Sequence, residues 1–141
     1  MKSARRRARE LAVQGLYAWQ MSALPAAEIL AHLSDTKEFE RADRAYLNRL
    51  LEGVIAASDA LRETLSPLLD RPWPELSPVE RAIPLLAAFE LSAVPEIPFR
   101  VVINEAVDLA KIFGGTDGHK YVNGVLDKLA PQLRTVEAGK R

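Results

Sequence analysis

The 141-residue chain contains no cysteine. That excludes disulfide staples, thiolate metal sites and cysteine nucleophiles, and it fits a reducing, cytoplasmic setting. Histidine is nearly as scarce. His32 and His119 lie far apart, with no HExxH pair and no histidine–carboxylate cluster at metal spacing. No apolar run approaches the roughly 20 residues that span a bilayer, and the N-terminus lacks the apolar stretch of a secretory signal. No metal, cofactor or membrane role is expected. Strand signals are missing as well: no apolar/polar alternation of useful length occurs, and no Asn-Gly turn joins β-branched runs.

Net charge is also absent in sum, but not locally. Lys2, Arg5, Arg6, Arg7 and Arg9 face only Glu10 in the first ten residues, while the other 131 hold 14 basic and 18 acidic side chains. A basic end on a mildly acidic body can steer an anionic partner without making the whole surface adhere to polyanions. The start is Arg-rich and acid-poor like a transit peptide, yet its helical pattern continues into core-like residues with no processing site.

Helical periodicity fills most of the chain. Ala8, Leu11, Ala12, Gly15, Leu16 and Trp19 form one stripe of a helix over about 3–21, with Pro25 ending it. A short amphipathic piece follows over 26–33, then a polar connection over 34–42. A long helix starts near Asp43 and carries Leu47, Leu50, Leu51, Val54 and Ile55. Pro67, Pro72 and Pro74 make 67–76 a turn-rich crossing. Ser77-Pro78-Val79-Glu80 then reads as a serine N-cap, a first-turn proline and the glutamate of a capping box. The helix after it is apolar nearly all round, and Pro84 inside it predicts a kink. Another helix is expected over 98–113 with Gly114-Gly115 as its cap. A last one is expected from about Thr116 to Leu129, with Pro131 stopping it and 132–141 frayed. The reading is an all-α fold of about seven helices in two packed bundles. It forms a single 1–141 domain with subdomains 1–66 and 67–135.

Two surfaces carry chemistry. In the first helix, phase turns Arg6 and Arg7 away from the apolar stripe and leaves Arg5 and Arg9 at its edge, with Tyr17 nearly in line with Arg6. Guanidinium forks beside an outward ring suit single-stranded RNA: the forks take phosphates and the ring takes an unstacked base. The other reading is a solvated basic helix end. Against it, cations at a helix N-terminus oppose the helix dipole. In the last helix Asp117, Lys120, Tyr121, Gly124 and Lys128 share a face, which reads either as a second nucleic-acid surface or as dipole-matched charges beside an edge ring. Glu80 already has a capping role. Asn104, Glu105, Asp108 and Lys111 read as a solvated face. "GGTDGHKY" fails the phosphate-loop spacing and follows a helix. No residue pattern points to catalysis, so no enzymatic activity is expected.

Four ordered stretches, "ARRRARELAVQGLYAWQ" at 4–20, "VERAI" at 79–83, "PFRVVINEAVDLAKIFG" at 98–114 and "HKYVNGVLDKLAP" at 119–131, resemble the NusB family of bacterial transcription antitermination factors. Residues 22–76 match only in helical pattern. The resemblance implies an all-α fold of two bundles. It also implies binding of the boxA element of ribosomal RNA transcripts together with ribosomal protein S10, and entry into an RNA polymerase elongation complex with other Nus factors. It assigns RNA binding to Arg5, Arg6, Arg7 and Arg9. By position, Tyr17, Glu80, Asp117 and Tyr121 align with places where the family supports RNA or partner function, and Lys120 joins the RNA side from the helix face it shares with Asp117 and Tyr121. Pro84 departs from the unbroken helix the resemblance implies there. Two alternatives stand beside this reading. One is a helical protein–protein interaction module. The other is the NusB-like domain of a ribosomal RNA cytosine methyltransferase, which requires a further domain to hold S-adenosylmethionine.

Overall fold

The computed structural model describes residues 2–115 and 117–134. They form six α-helices, α1 (Ala4–Ser22), α2 (Ala26–Leu33), α3 (Arg44–Leu65), α4 (Pro78–Ala93), α5 (Phe99–Phe113) and α6 (Gly118–Leu133). Short 3-10 turns occupy Lys37–Arg41, Ser66–Leu68 and Trp73–Glu75, and no strand occurs among the described residues. The chain divides after Ala56, within α3, into two compact units.

In the first unit, the Ser3 hydroxyl caps α1 by accepting the Arg6 N–H at 3.0 Å. The expected stripe is the buried one: Ala8, Leu11, Ala12 and Leu16 are at most 1% exposed. Gly15 belongs to that stripe because α2 and α3 press on it. A Cβ there would lie 3.0 Å from Leu51 Cδ1 and 3.2 Å from Leu33 Cδ1. The helix ends ahead of Pro25, at Ala23, whose φ of 57° is left-handed and whose N–H reaches the Trp19 carbonyl. Asp43 opens α3: its Oδ1 accepts the Tyr46 N–H at 3.0 Å. Its own N–H donates to the Ala4 carbonyl, tying the start of α3 to the start of α1.

The second unit is built around α4, which is buried continuously from Ala82 to Leu91. The capping box forms as its sequence demands. Pro84 lies within α4, which stays one continuous helix from Pro78 to Ala93. The proline withholds only the intrahelical donor for the Glu80 carbonyl, and burial on every side holds the rest. At the end of α5, Gly114 is extended rather than left-handed. Its glycine is required by proximity, since a Cβ would meet the Ala110 carbonyl oxygen at 2.6 Å.

The C-terminal end of α6 corrects the sequence expectation. Pro131 does not stop the helix, which runs on to Leu133. A proline in a last turn removes one hydrogen bond, and the next residues are held independently. Arg134, expected to be frayed, is 8% exposed. Its guanidinium donates to the carbonyls of Leu91 (2.6 Å), Ile97 (2.9 Å), Val94 (3.0 Å) and Glu90 (3.2 Å). A cation thus sits on a cluster of carbonyls at and just beyond the end of α4, where the helix dipole is negative, and two of them, Glu90 and Val94, also accept a backbone N–H. Thr116, the expected start of α6, and 135–141 of the expected tail lie outside the described residues.

Candidate nucleic-acid interface

The first two turns of α1 present the arginine block, but the structure redistributes it. Arg5, expected at the edge, has a 45% exposed side chain. It lies 4.3 Å over the Tyr46 ring and 3.8 Å from the Asp43 carboxylate. Arg9 is 4% exposed, its guanidinium 5.5 Å from the same ring. Arg6 is half-buried. Arg7, expected to face outward, keeps only 13% of its side chain exposed and donates to Glu38 on the Lys37–Arg41 turn. Helical phase describes one helix, whereas the cover over Arg7 arrives from 31 residues downstream. The result is a basic patch whose guanidiniums are held by Tyr46, Asp43 and Glu38, so that a phosphate reaching Arg7 must compete with the Glu38 carboxylate.

Tyr17, two turns past the block, is 45% exposed, and Met21 one turn further is 64% exposed. Both keep an apolar surface open to solvent on a helix whose opposite side is packed. Glu10, near Tyr17 in phase, instead turns in: it is 7% exposed and pairs with Lys2 at 2.8 Å.

A second set of predicted residues meets around a cleft of about 510 Å³ in the second unit. Glu80 is its best-defined member. Its Oε1 accepts the Ser77 N–H at 2.8 Å, and its Oε2 accepts from the Arg71 guanidinium at 2.8 Å. Burial pushes the Glu80 carboxyl up, but the Ser77 N–H and Arg71 outweigh it and hold the group below the usual carboxylate range. The same Glu80 contact raises the pKa of Arg71. Arg71 also approaches Asp70 at 3.4 Å and lies 5.3 Å over the Tyr121 ring. Tyr121 is half-buried, and its hydroxyl has no hydrogen-bond partner among the described residues. Burial pushes that hydroxyl up to about 12, the opposing pull of Arg71 notwithstanding, so it stays protonated at physiological pH.

Asp117 lines the same cleft at the N-cap position of α6 without capping it through its side chain. It pairs instead with Lys120 at 3.5 Å, both side chains about three-quarters exposed (76% and 74%). Gly124 is exposed, and an added Cβ would meet nothing within 4 Å. Tyr121 therefore parts from its expected company, turning into the cleft while Asp117, Lys120, Gly124 and Lys128 face solvent.

Sequence reading missed Asp70 and Arg71, which lie in the proline-rich crossing where no helical pattern marks a face. Their only local signal is an adjacent acid–base pair a few residues before a capping box. It also missed Tyr46, Asp43 and Glu38 as the partners of the arginines. Among the described residues, no three His, Asp or Glu side chains gather as a metal site requires, and no helix is long and apolar enough to cross a membrane.

Comparison with known proteins identifies the family of the chain. The model of the NusB family matches residues 6–131. A transcription antitermination protein NusB of Paraburkholderia phytofirmans is 61% identical over 137 residues, covering 97% of this chain and 95% of the relative. One from Ralstonia nicotianae is 57% identical over 140 residues, covering 99% and 90%. Among solved structures, T. maritima NusB superposes with a TM-score of 0.86 at 28% identity, covering 99% of both chains. A complex of antitermination factors NusB and NusE with dsRNA shares the fold, with a TM-score of 0.84 at 24% identity over 94% of this chain and 99% of that one.

Proposed function

The chain belongs to the NusB family, and from that premise we propose that it is a cytoplasmic RNA-binding adaptor in transcription antitermination. It binds rather than turns over its ligands. In this reading it takes the single-stranded boxA element of ribosomal RNA transcripts together with ribosomal protein S10 (NusE), and joins the RNA polymerase elongation complex with other Nus factors. The observation that carries the reading is the basic first two turns of α1 beside an exposed aromatic ring, Tyr17. Phosphates would meet Arg5, Arg6 and Arg7, while Arg9, buried against Tyr46, would set the patch in place rather than reach the strand. A base would lie on Tyr17, since every base has a face for stacking and an exposed ring asks for no particular sequence. In this reading Asp117, Lys120, Tyr121 and Glu80 form a second contact region, supported by Arg71, which pairs with Glu80 and Asp70 and lies over the Tyr121 ring.

The chemistry agrees with a two-ligand adaptor. A patch that binds phosphates supplies affinity without sequence information, so specificity must come from base contacts or from a second protein that binds only the assembled complex. Titration of boxA RNA against the protein, with and without S10, tests the proposal. RNA should bind more tightly when S10 is present, and S10 more tightly when RNA is present, by the same factor. S10 binding that is indifferent to boxA RNA would instead favour a plain protein–protein module.

A further inference from the structure

The Lys37–Arg41 turn packs against α1 and brings a carboxylate to the arginine block. Glu38 engages Arg7 from that turn, so a guanidinium that the RNA reading assigns to phosphate is already occupied. A carboxylate and a phosphate present the same paired oxygens to a guanidinium, so they compete for it. The turn that holds Glu38 in place is weakly built. None of its five residues is buried, and the Glu38 side chain is 48% exposed. The backbone bonds at its two ends, Phe39 N–H to the Thr36 carbonyl and Ala42 N–H to the Phe39 carbonyl, are both 3.3 Å, longer than the usual N–H···O contact. Apart from Glu38, its described side-chain tie is the Phe39 ring, met by Arg44 at 4.8 Å. The flanks are firmer. Thr36 N–H donates to the Leu33 carbonyl at 3.0 Å, and Asp43 N–H donates to the Ala4 carbonyl at 3.0 Å while its carboxylate caps α3. Few buried contacts and long bonds between fixed ends mark a segment that opens at low cost.

Resting on the RNA-binding reading above, we propose that this turn is an autoinhibitory clasp. Glu38 occupies Arg7 in the free protein, and an RNA phosphate takes its place as segment 37–42 moves off α1. Arg5 is set differently: its side chain is 45% exposed and its Asp43 contact is long at 3.8 Å, so it takes a first phosphate without displacing the turn. A strand carries further phosphates on the same molecule. Once one is held, the next arrives at high effective concentration and can displace an internal carboxylate. A lone phosphate has no such help. The clasp thereby favours a phosphodiester strand over small anions while weakening RNA binding overall.

The test pairs amide hydrogen exchange with affinity on the full chain, using a boxA-type single-stranded RNA. Residues 37–42 should exchange about 1.4- to fivefold faster with RNA bound, the factor by which one partly exposed ion pair holds the turn closed. The start of α1 should exchange more slowly, and inorganic phosphate should leave 37–42 unchanged. Arg7→Ala should show the faster exchange without RNA, and RNA should add nothing to it. Glu38→Gln should tighten RNA binding by about the same 1.4- to fivefold. Glu40→Gln, which neutralises an exposed acid on the same turn, should tighten it less. Unchanged or slower exchange of 37–42 on RNA binding would overturn the proposal, and so would equal acceleration by inorganic phosphate. Equal gains from both glutamate variants would overturn it too, because a general electrostatic field produces them. Any of these results with salt-dependent RNA binding intact overturns the clasp alone. Absence of RNA binding altogether overturns the RNA reading and the clasp with it.

Discussion

Glu80→Gln removes one charge from the start of α4 and almost no atoms. Glutamine can still accept the Ser77 N–H, so the capping box should persist. What goes is the attraction of an anion to the helix N-terminus, about 0.3–1 kcal/mol, and the pair with Arg71, about 0.2–1 kcal/mol for a partly exposed contact. The expected destabilisation is therefore about 0.5–2 kcal/mol at pH 7. Because the folded carboxyl titrates below its ordinary value of 4.5, its contribution is complete above that pH. It is lost as pH falls through the lower, folded value. Urea denaturation followed by circular dichroism from pH 3 to pH 7 should show wild type and variant converging in acid and separating above it. Equal stability at pH 7, or a gap that does not change with pH, would refute the assignment of the charge to these two partners.

Other outcomes follow from the same geometry. Glu38→Gln frees Arg7 from its internal carboxylate and should tighten single-stranded RNA binding about 1.4- to fivefold at low salt; fluorescence anisotropy checks it, and the gain should disappear when Arg7→Ala is added. Arg134→Ala strips the cation from four carbonyls and should cost about 3 kcal/mol or more in chemical denaturation, with Arg134→Lys rescuing little because an ammonium lacks the guanidinium fork. Gly124→Ala should stabilise the protein by up to about 1 kcal/mol, since its Cβ enters open space, whereas Gly114→Ala should lower the Tm through contact with the Ala110 carbonyl.

How legible each feature was depends on how far its cause lies along the chain. Ser77 to Glu80 could be read directly because the capping box is completed within four residues. The buried stripe of α1 was equally readable, since burial there follows the period of its own helix. The block's orientation was not. Arg7 is covered by Glu38, Arg9 lies against Tyr46, and Arg134 crosses to carbonyls about 40 residues away. None of these pairings leaves a mark in local periodicity. Arg71 fails for a second reason: residues in a proline-rich crossing have no helical phase from which to infer a direction. The candidate residues were thus mostly named from sequence, while their division into exposed contacts and buried supports came from packing.

The central claim is that the basic start of α1 binds RNA phosphates. The most direct measurement is the dependence of single-stranded RNA affinity on salt for the wild type and for Arg6→Ala with Arg7→Ala. Each lost phosphate contact should flatten the log–log slope by about 0.7, so the double variant should fall short of wild type by about 1.4 while keeping its helicity. An unchanged slope would mean that the strand's phosphates lie elsewhere.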